Sequence, residues 1–204
     1  MELTFKPIRL FTPVFFLVFS CLQASENKLF QIVKRLKQVN PSNCHLVSYR
    51  STNDTFKITS GTDLINDLTT GDILIVSAGA TANAQNVSHF IATSATSNAG
   101  TANLTASNDG ATITLTESSL GAYTITGGSS IDSLTGDVDA DTLQGGDGAD
   151  SLVGGNGNDL YLFNTGDVDN GESIVEDPGG GSDTVAILTT TDFSNITVAL
   201  QIRP

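Results

Sequence analysis

The spacing of hydrophobic residues changes along the chain, and each change predicts a different kind of element. Near the N-terminus the apolar residues form one run, from Leu10 to Leu22, behind the basic residues Lys6 and Arg9. A run this short does not comfortably span a bilayer, which takes about 20 residues, and it is typical of a secretory signal. Residues 1–24 are therefore predicted to be a signal peptide, with a buried or membrane-anchoring apolar helix as the alternative.

A helical period follows the apolar run. Leu29, Val33 and Leu36 recur at the spacing of one helix face. Basic residues lie late in this pattern, where they suit the helix dipole. We predict a short helix over residues 25–40, within a basic segment that extends over residues 25–57. The charged face is expected to be solvated, although a basic amphipathic helix can also bind a membrane surface or an acidic partner.

From residue 58 onward the pattern is typical of β-strands. Residues 72–76 form a short apolar run after a Thr-Gly turn. Residues 111–116 and 123–126 alternate apolar and polar side chains, as half-buried strands do. The stretch between them, residues 77–110, is rich in Ala, Ser, Thr and Asn and has little periodicity. We predict a β-rich region over residues 58–126.

A nine-residue period replaces this alternation in residues 127–162. The four segments read GGSSIDSLT, GDVDADTLQ, GGDGADSLV and GGNGNDLYL. Each segment has glycine at the first place, aspartate at the sixth and a large apolar residue at the eighth. The residues at these places are Gly127, Gly136, Gly145 and Gly154; Asp132, Asp141, Asp150 and Asp159; and Leu134, Leu143, Leu152 and Tyr161. A repeat of the form G-G-x-G-x-D-x-U-x indicates a calcium-binding parallel β-helix.

The residue types of the repeat explain this indication. Glycine permits turns with positive φ and brings backbone carbonyls close, and carbonyl and carboxylate oxygens are the ligands that calcium prefers. The end of each repeat predicts a short strand with its large apolar side chain pointing inward. Two repeats make one coil, so repeat one stacks on repeat three and repeat two on repeat four. Leu134 is expected to lie on Leu152, and Leu143 on Tyr161.

The stacking of alternate repeats predicts two calcium sites. Asp132 and Asp150 line one site, and Asp141 and Asp159 line the other. Without metal these carboxylates would repel one another, so we expect folding of the segment to depend on calcium. The expected affinity is on the order of 10⁻⁴–10⁻³ M, as in other extracellular modules.

Residues 127–162 resemble the RTX, or haemolysin-type, calcium-binding repeats of secreted bacterial proteins. The resemblance implies a mainly β fold with a right-handed parallel β-roll (a β-solenoid) over residues 127–163, Ca²⁺ as cofactor, and export by a secretion machinery. Residues 161–164 and 180–185 are similar to the closing coils of the family, so residues 164–204 are predicted to be closing coils or a C-terminal cap. Besides the four sixth-place aspartates, the predicted ligands are Asp147, Asn156, Gly128, Gly146, Gly148, Gly155 and Gly157.

The repeats depart from the family pattern at three positions. Ser130 replaces the fourth-place glycine of repeat one, and Asp137 and Asp139 replace glycines of repeat two. Each predicted site therefore contains one imperfect half, which leaves its affinity and occupancy open. The N-terminal signal is also unusual for the family, and a longer secreted protein from which this chain is a fragment remains an alternative.

Charge is distributed very unevenly and restricts the possible partners. The formal net charge is −13. Eight of the nine Lys and Arg residues lie in residues 1–57, whereas nineteen of the 22 Asp and Glu residues lie in residues 58–204. Nucleic acid is therefore excluded as an expected partner, since phosphate binding needs a basic surface. The acidic part needs either solvent or a divalent metal to neutralise it.

Cysteine and catalytic motifs complete the sequence-based prediction. With Cys21 inside the predicted signal, Cys44 has no partner, so no disulfide is expected, and a bound metal is the obvious substitute for a disulfide in stabilising the fold.

No nucleophile elbow or His-Glu-x-x-His motif is present, so the protein is not expected to be an enzyme. Glu172, Glu176 and Asp177 follow the repeats and are expected in a surface loop or as ligands of a cap.

Calcium binding with calcium-driven folding outside the cell is the function that these patterns predict. The alternatives are a spacer in a larger secreted adhesin or surface-layer protein, and the export module of a secreted hydrolase whose catalytic domain lies elsewhere. Self-association or a cell-surface partner is expected for the first alternative.

Overall fold

The computed structural model describes residues 46–47, 53–165, 167, 171–176, 180–188 and 197–199. All regular elements in these residues are β-strands, and none of these residues forms a helix that could cross a membrane. The predicted signal peptide (1–24), the predicted helix (25–40) and Cys44 lie outside the described residues. The described parts of residues 41–57 contain β-strands, so β structure begins before residue 58.

The strands of the described residues are short and follow one another closely. In chain order they are β1 (Leu46–Val47), β2 (Thr55–Ile58), β3 (Gly61–Ile65), β4 (Ile73–Val76), β5 (Ala80–Val87), β6 (His89–Ile91), β7 (Ser97–Asn98), β8 (Thr101–Ala106), β9 (Thr112–Thr114), β10 (Tyr123–Thr126), β11 (Ser133–Thr135), β12 (Thr142–Gln144), β13 (Ser151–Val153), β14 (Leu160–Phe163), β15 (Ser173–Val175), β16 (Thr184–Ile187) and β17 (Thr197–Ala199).

These strands form three sheets in which neighbouring strands run parallel. The large sheet has the order β1-β3-β5-β8-β10-β12-β14-β16, and the second sheet has the order β17-β15-β13-β11-β9-β6. A small third sheet contains β2, β4 and β7. Consecutive strands alternate between sheets through most of the chain, so the backbone winds as a parallel β-solenoid. The mainly β, parallel solenoid architecture is therefore confirmed, and its right-handed sense stays a prediction.

The core consists of inward side chains that stack from coil to coil. In the second sheet Ile113, Leu134, Leu152 and Ile174 are register partners in succession, and all are buried. In the large sheet the corresponding column is Leu104, Ile125, Leu143 and Tyr161. Burying one such side chain contributes about 1.5–3 kcal/mol, so these two columns supply the main apolar stabilisation of the coils.

The register agrees with the stacking that the nonapeptides predict. Leu134 pairs with Leu152, and Leu143 pairs with Tyr161. The large sheet continues without a break from β8 through β10 into β12, so the coils before the repeats and the repeats share one sheet. The boundary at residue 127 therefore marks a change of turn chemistry within one solenoid.

Candidate metal centre

The turns that precede the strands form two stacks, one at each junction between the two main sheets. We call the turns before β11, β13 and β15 the first turn stack, and those before β12, β14 and β16 the second turn stack. The first stack carries the carboxylates of Asp132, Asp150 and Glu172, each one residue before its strand. The second stack carries those of Asp141, Asp159 and Asp183 in the same place: each is one residue before β12, β14 and β16. The structure thus gathers the sixth-place aspartates as two columns.

Hydrogen bonds to the backbone hold each column in order. The N–H of Asp132 donates to Oδ1 of Asp150 over 2.8 Å, and the N–H of Asp141 donates to Oδ1 of Asp159 over 2.7 Å. The same bond continues upstream, where the N–H of Tyr123 donates to Oδ1 of Asp141 over 2.7 Å. Each aspartate is therefore oriented by the coil before its own, and one carboxylate oxygen is committed to that contact.

The second carboxylate oxygen faces the turn of its own repeat. Oδ2 of Asp132 accepts from the N–H of Gly128 over 2.6 Å, and Oδ2 of Asp141 accepts from the N–H of Asp137 over 2.7 Å. Oδ2 of Asp159 differs, because it is buried and has no hydrogen-bond partner. A buried ionised oxygen without a donor is costly unless a cation neutralises it, so this position fits a metal ion.

The opening glycines leave room for these oxygens. A Cβ at any opening glycine would collide with Oδ2 of the aspartate in the same repeat, as at Gly136 with Asp141 and at Gly154 with Asp159. The glycines that follow lie against backbone carbonyls of the preceding coil: a Cβ on Gly155 would meet the carbonyl oxygen of Asp137. Carboxylate and carbonyl oxygens therefore approach one another at the turns, and this is the donor set of a hard cation such as calcium.

Repeats three and four differ from repeats one and two in backbone conformation. Gly148 and Gly157, at the fourth place, have φ of +123° and +121°. Ser130 and Asp139 occupy the same place in repeats one and two, and neither has a positive φ. Positive φ is strained for residues with a Cβ, which explains the difference. The perfect and the imperfect turns in each stack therefore differ in shape.

Side-chain hydrogen bonds hold the imperfect turns in place. Ser130 Oγ donates to the carbonyl of Asn108 over 2.7 Å. The N–H of Gly121 donates to Oδ2 of Asp139 over 2.6 Å, and the N–H of Asp139 donates to Oδ1 of Asp137 over 2.8 Å. Ser130 and Asp139 thus connect their turns to the coil before, and Asp137 holds the turn of repeat two from within.

The third-place residues lie apart from the buried carboxylates. The side chains of Asp147 and Asn156 are exposed. Their backbone N–H groups donate to the carbonyls of Gly128 and Asp137 over 3.2 and 3.1 Å. The described geometry places the two side chains at the outer rim of the turns, so their role as ligands stays a prediction, as does that of the glycine carbonyls.

Electrostatics favour a cation at both columns. Burial raises the pKa of Asp132. Burial, to which the charges of Asp137 and Asp159 add, raises the pKa of Asp141 to about 7. Among the described residues Lys57, on β2, is the one Lys or Arg side chain. The ionised columns therefore lack nearby cationic side chains from the described part of the chain, and a divalent ion is the natural counter-charge.

Comparison with known families decides which cation this is. Residues 126–161 match the family model of the RTX calcium-binding nonapeptide repeat, in four copies. These residues are RTX calcium-binding repeats. The RTX repeats bind Ca²⁺, so calcium is the cofactor that the columns accept. The family is defined by a calcium-binding structural repeat and carries no catalytic function of its own. Neither the curated proteins nor the solved structures include a match to the chain.

Several buried carboxylates lie outside the RTX repeats, and the sequence pattern did not show that they are buried. Asp72 accepts hydrogen bonds from the N–H groups of Asp54 and Thr69, each over 2.8 Å, in the same manner as the repeat aspartates. Its position after Gly71 and directly before a strand was the available signal. Glu172 and Glu176 are buried, so of the two roles expected for them the surface loop is wrong, and the role as ligands of a cap stays a prediction. Asp177 lies outside the described residues.

Proposed function

We propose that the RTX repeats bind calcium at two sites outside the cell and that the ions drive folding of this part of the solenoid. Asp132 and Asp150 hold the first site, and Asp141 and Asp159 hold the second. Calcium supplies positive charge that joins the carboxylates of successive coils. The observation that carries the proposal is the pair of buried aspartate columns, which the described residues do not neutralise with Lys or Arg side chains.

The extracellular setting follows from the expected affinity. Sites of on the order of 10⁻⁴–10⁻³ M fill at extracellular calcium and stay empty at cytosolic calcium. Folding then waits until the chain has left the cell, which agrees with the predicted signal peptide and with the secretion typical of RTX proteins. The predicted ligands Asp147, Asn156, Gly128, Gly146, Gly148, Gly155 and Gly157 complete the two sites in this proposal.

Titration of the full chain with calcium, followed by far-UV circular dichroism, tests the proposal. The β signal is expected to rise at millimolar calcium and to remain unchanged with magnesium, which keeps its water and demands a stricter geometry. Asp150→Asn and Asp159→Asn should each move the transition to higher calcium. Asp109→Asn, which alters an exposed carboxylate outside the repeats, serves as the control. An unchanged spectrum in wild-type protein at all calcium concentrations contradicts calcium-driven folding.

A spacer in a larger secreted adhesin is the second candidate. Val185 continues the column of Leu143 and Tyr161, yet 44 % of it is exposed. Its strand, β16, is the outermost of the described strands in the large sheet. An open apolar end of this kind suits the addition of further coils or of a second molecule. Self-association that requires calcium, measured by sedimentation, would favour the spacer, whereas hydrolytic activity in a longer gene product would favour the export module of a hydrolase.

A further inference from the structure

The coil that follows the RTX repeats carries acidic residues at two positions of the repeat pattern. Val175 pairs with Val153, so the next residues, Glu176 and Gly154, occupy equivalent places in successive coils. Glutamate thus stands where the repeats have their opening glycine. Asp183 takes the sixth place, because the N–H of Asp159 donates to its Oδ1 over 3.0 Å. Both acidic residues lie beyond residues 126–161, which the family model covers.

Three carboxylates converge at this end of the second turn stack. Asp159, Glu176 and Asp183 each offer one carboxylate oxygen, and these oxygens all lie within 4.8 Å of one another. Asp159 is 1 % exposed and Glu176 is 8 % exposed, whereas Asp183 is exposed. The cluster is therefore closed on the core side and open to solvent on one side, as a site that exchanges an ion with solvent must be.

Asp159 supplies an independent indication of a ligand. Its Oδ1 accepts from the N–H of Asp141, whereas its Oδ2 is buried and has no hydrogen-bond partner. A Cβ on Gly154 would collide with this Oδ2 and with the hydroxyl of Tyr161, so the two oxygens lie on the same side of the Gly154 backbone. The unpartnered oxygen therefore points toward the side of the turn at which Glu176 enters.

Tyr161 orients Glu176 within the cluster. The N–H of Gly154 donates to the Tyr161 hydroxyl over 2.6 Å, and this hydroxyl donates in turn to Oε1 of Glu176. Burial, to which the charge of Asp183 adds, raises the pKa of Asp159, because the ionised carboxylates of Asp159 and Asp183 repel each other. A hard divalent cation relieves this repulsion and has the oxygen donors that it prefers.

We propose that Asp159, Glu176 and Asp183 form a third cation site, which binds calcium and fastens the closing coil to the last RTX repeat. The inference rests on the proposed function in taking calcium as the ion. Glu176 replaces the opening glycine at this site and reaches the cluster from inside the solenoid. The ion adds a connection between β14 and β16. Without the ion, these two strands are joined by the hydrogen bonds of their parallel pairing and by the contacts of the turn.

Calcium stoichiometry in the full chain tests the third site. Isothermal titration calorimetry would give the number and affinity of bound calcium ions for wild type, Glu176→Gln and Asp183→Asn. Glu117→Gln is the control, because Glu117 is exposed and lies outside both turn stacks. The first two variants are expected to bind one calcium fewer than wild type, or to bind one calcium about tenfold more weakly or worse. The control should match wild type.

Each remaining outcome has a definite meaning. If Glu176→Gln and Asp183→Asn bind as many calcium ions as wild type with the same affinity, the third site is refuted while the proposed function stands. If wild type binds no calcium, both fail. Should Glu176→Gln not fold, Asp183→Asn decides alone, because its side chain is exposed and tolerates the change. Terbium, a calcium substitute excited through Tyr161, gives a second readout, and part of its emission should be lost in Asp183→Asn.

Discussion

The coils before residue 127 and the RTX repeats belong to one solenoid but hold their turns by different means. Before the repeats, neutral side chains hold several turns: the N–H of Gly100 donates to Oδ1 of Asn98 over 3.0 Å, and the N–H of Thr93 donates to Oγ1 of Thr96 over 3.3 Å. Asp72 is an exception, since it holds its turn with a carboxylate. In the repeats, buried aspartates perform this task and bring carboxyl groups into the interior. The same stacking of strands is therefore compatible with two kinds of turn. In one kind the chain satisfies the hydrogen bonds of the turn, and in the other kind buried carboxylates are suited to a cation.

This difference has a consequence for control of folding. We expect the coils before residue 127 to fold in the absence of an ion, because neutral side chains hold several of their turns by hydrogen bonds within the chain. Under the proposed function, the aspartate columns gain their full stability when calcium is present, since metal binding and folding are then one equilibrium. The repeats are then expected to make part of the solenoid responsive to calcium, while the other part offers a template on which they can form.

Calcium removal should have the largest effect and should fall on the repeats alone. Bound calcium stabilises by about 2.7 kcal/mol per site when its concentration is 100 times Kd. On addition of a chelator, hydrogen–deuterium exchange is expected to become fast for the amides of β11 to β14 and to stay slow for those of β5 and β8. Equal loss of protection in both regions would show that the solenoid folds as one unit.

Replacing a core leucine with alanine should lower the free energy of unfolding by about the same amount in either region when calcium is present. Leu104→Ala and Leu152→Ala each remove a buried side chain from a stacked column, at a cost of about 2–5 kcal/mol. After calcium removal Leu152→Ala should no longer alter the unfolding of the coils before the repeats, whereas Leu104→Ala should keep its effect. Urea unfolding with and without chelator measures both, and Leu120→Ala, an exposed leucine, is the control.

A methyl group at a fourth-place glycine should have a smaller effect. Gly148 has φ of +123°, and a Cβ there would approach the backbone carbon of Ser130 to 2.8 Å. Gly148→Ala is therefore expected to destabilise by about 1–3 kcal/mol. Gly61, in the coils before the repeats, has φ of +74°, and a Cβ there would meet no atom within 4 Å. Gly61→Ala is therefore expected to destabilise the fold by about 1 kcal/mol. Thermal unfolding in saturating calcium compares the two; equal losses would contradict the close turn contact.

A change of one pH unit should have an effect within the range expected for Gly148→Ala, and this effect should be confined to the repeats. Asp141 has a pKa of about 7 in the metal-free fold, against 3.8 as its ordinary value, so the folded state holds an extra proton between these values. Without calcium, the free energy of unfolding should decrease as pH rises from about 4 to about 7, by up to about 1.4 kcal/mol per unit.

Protons and calcium then compete for the column of Asp141 and Asp159, beside which Asp137 adds its charge. Calcium affinity is expected to fall as pH drops below about 7. Calorimetric titrations at several pH values measure this, and Asp141→Asn should flatten the dependence. A steep dependence that survives in Asp141→Asn would place the responsible group elsewhere.

The extent to which sequence predicted the fold depends on coil length. Within the repeats a coil takes 18 residues, the separation of Asp132 and Asp150, so a fixed period identifies register and column at once. After the repeats the separation grows to 22 between Asp150 and Glu172 and to 24 between Asp159 and Asp183, so no fixed period remains. For this reason the sequence did not place Glu172 in the column of Asp132 and Asp150.

The strands before the repeats were hard to recognise from the sequence because their core residues are small. Ala80, Ala82 and Ala84 of β5 point inward and are buried, and they alternate with polar residues. Alanine contributes weakly to a hydrophobic pattern, so residues 77–110 showed little periodicity although β5 to β8 lie there. The β-rich character of this region was predictable, but its membership of the large sheet was not.

The sequence by itself determined the nonapeptide period, and with it the parallel stacking of alternate repeats, the two columns of aspartates and the preference for calcium. These follow because a strict repeat places equivalent side chains at equivalent points of successive coils. Tertiary structure alone decided which oxygens are committed to the backbone and that Glu176 meets Asp159 and Asp183. These three carboxylates come together because the turns after the repeats differ in length from those within them. The path of such turns is set by packing against the neighbouring coil.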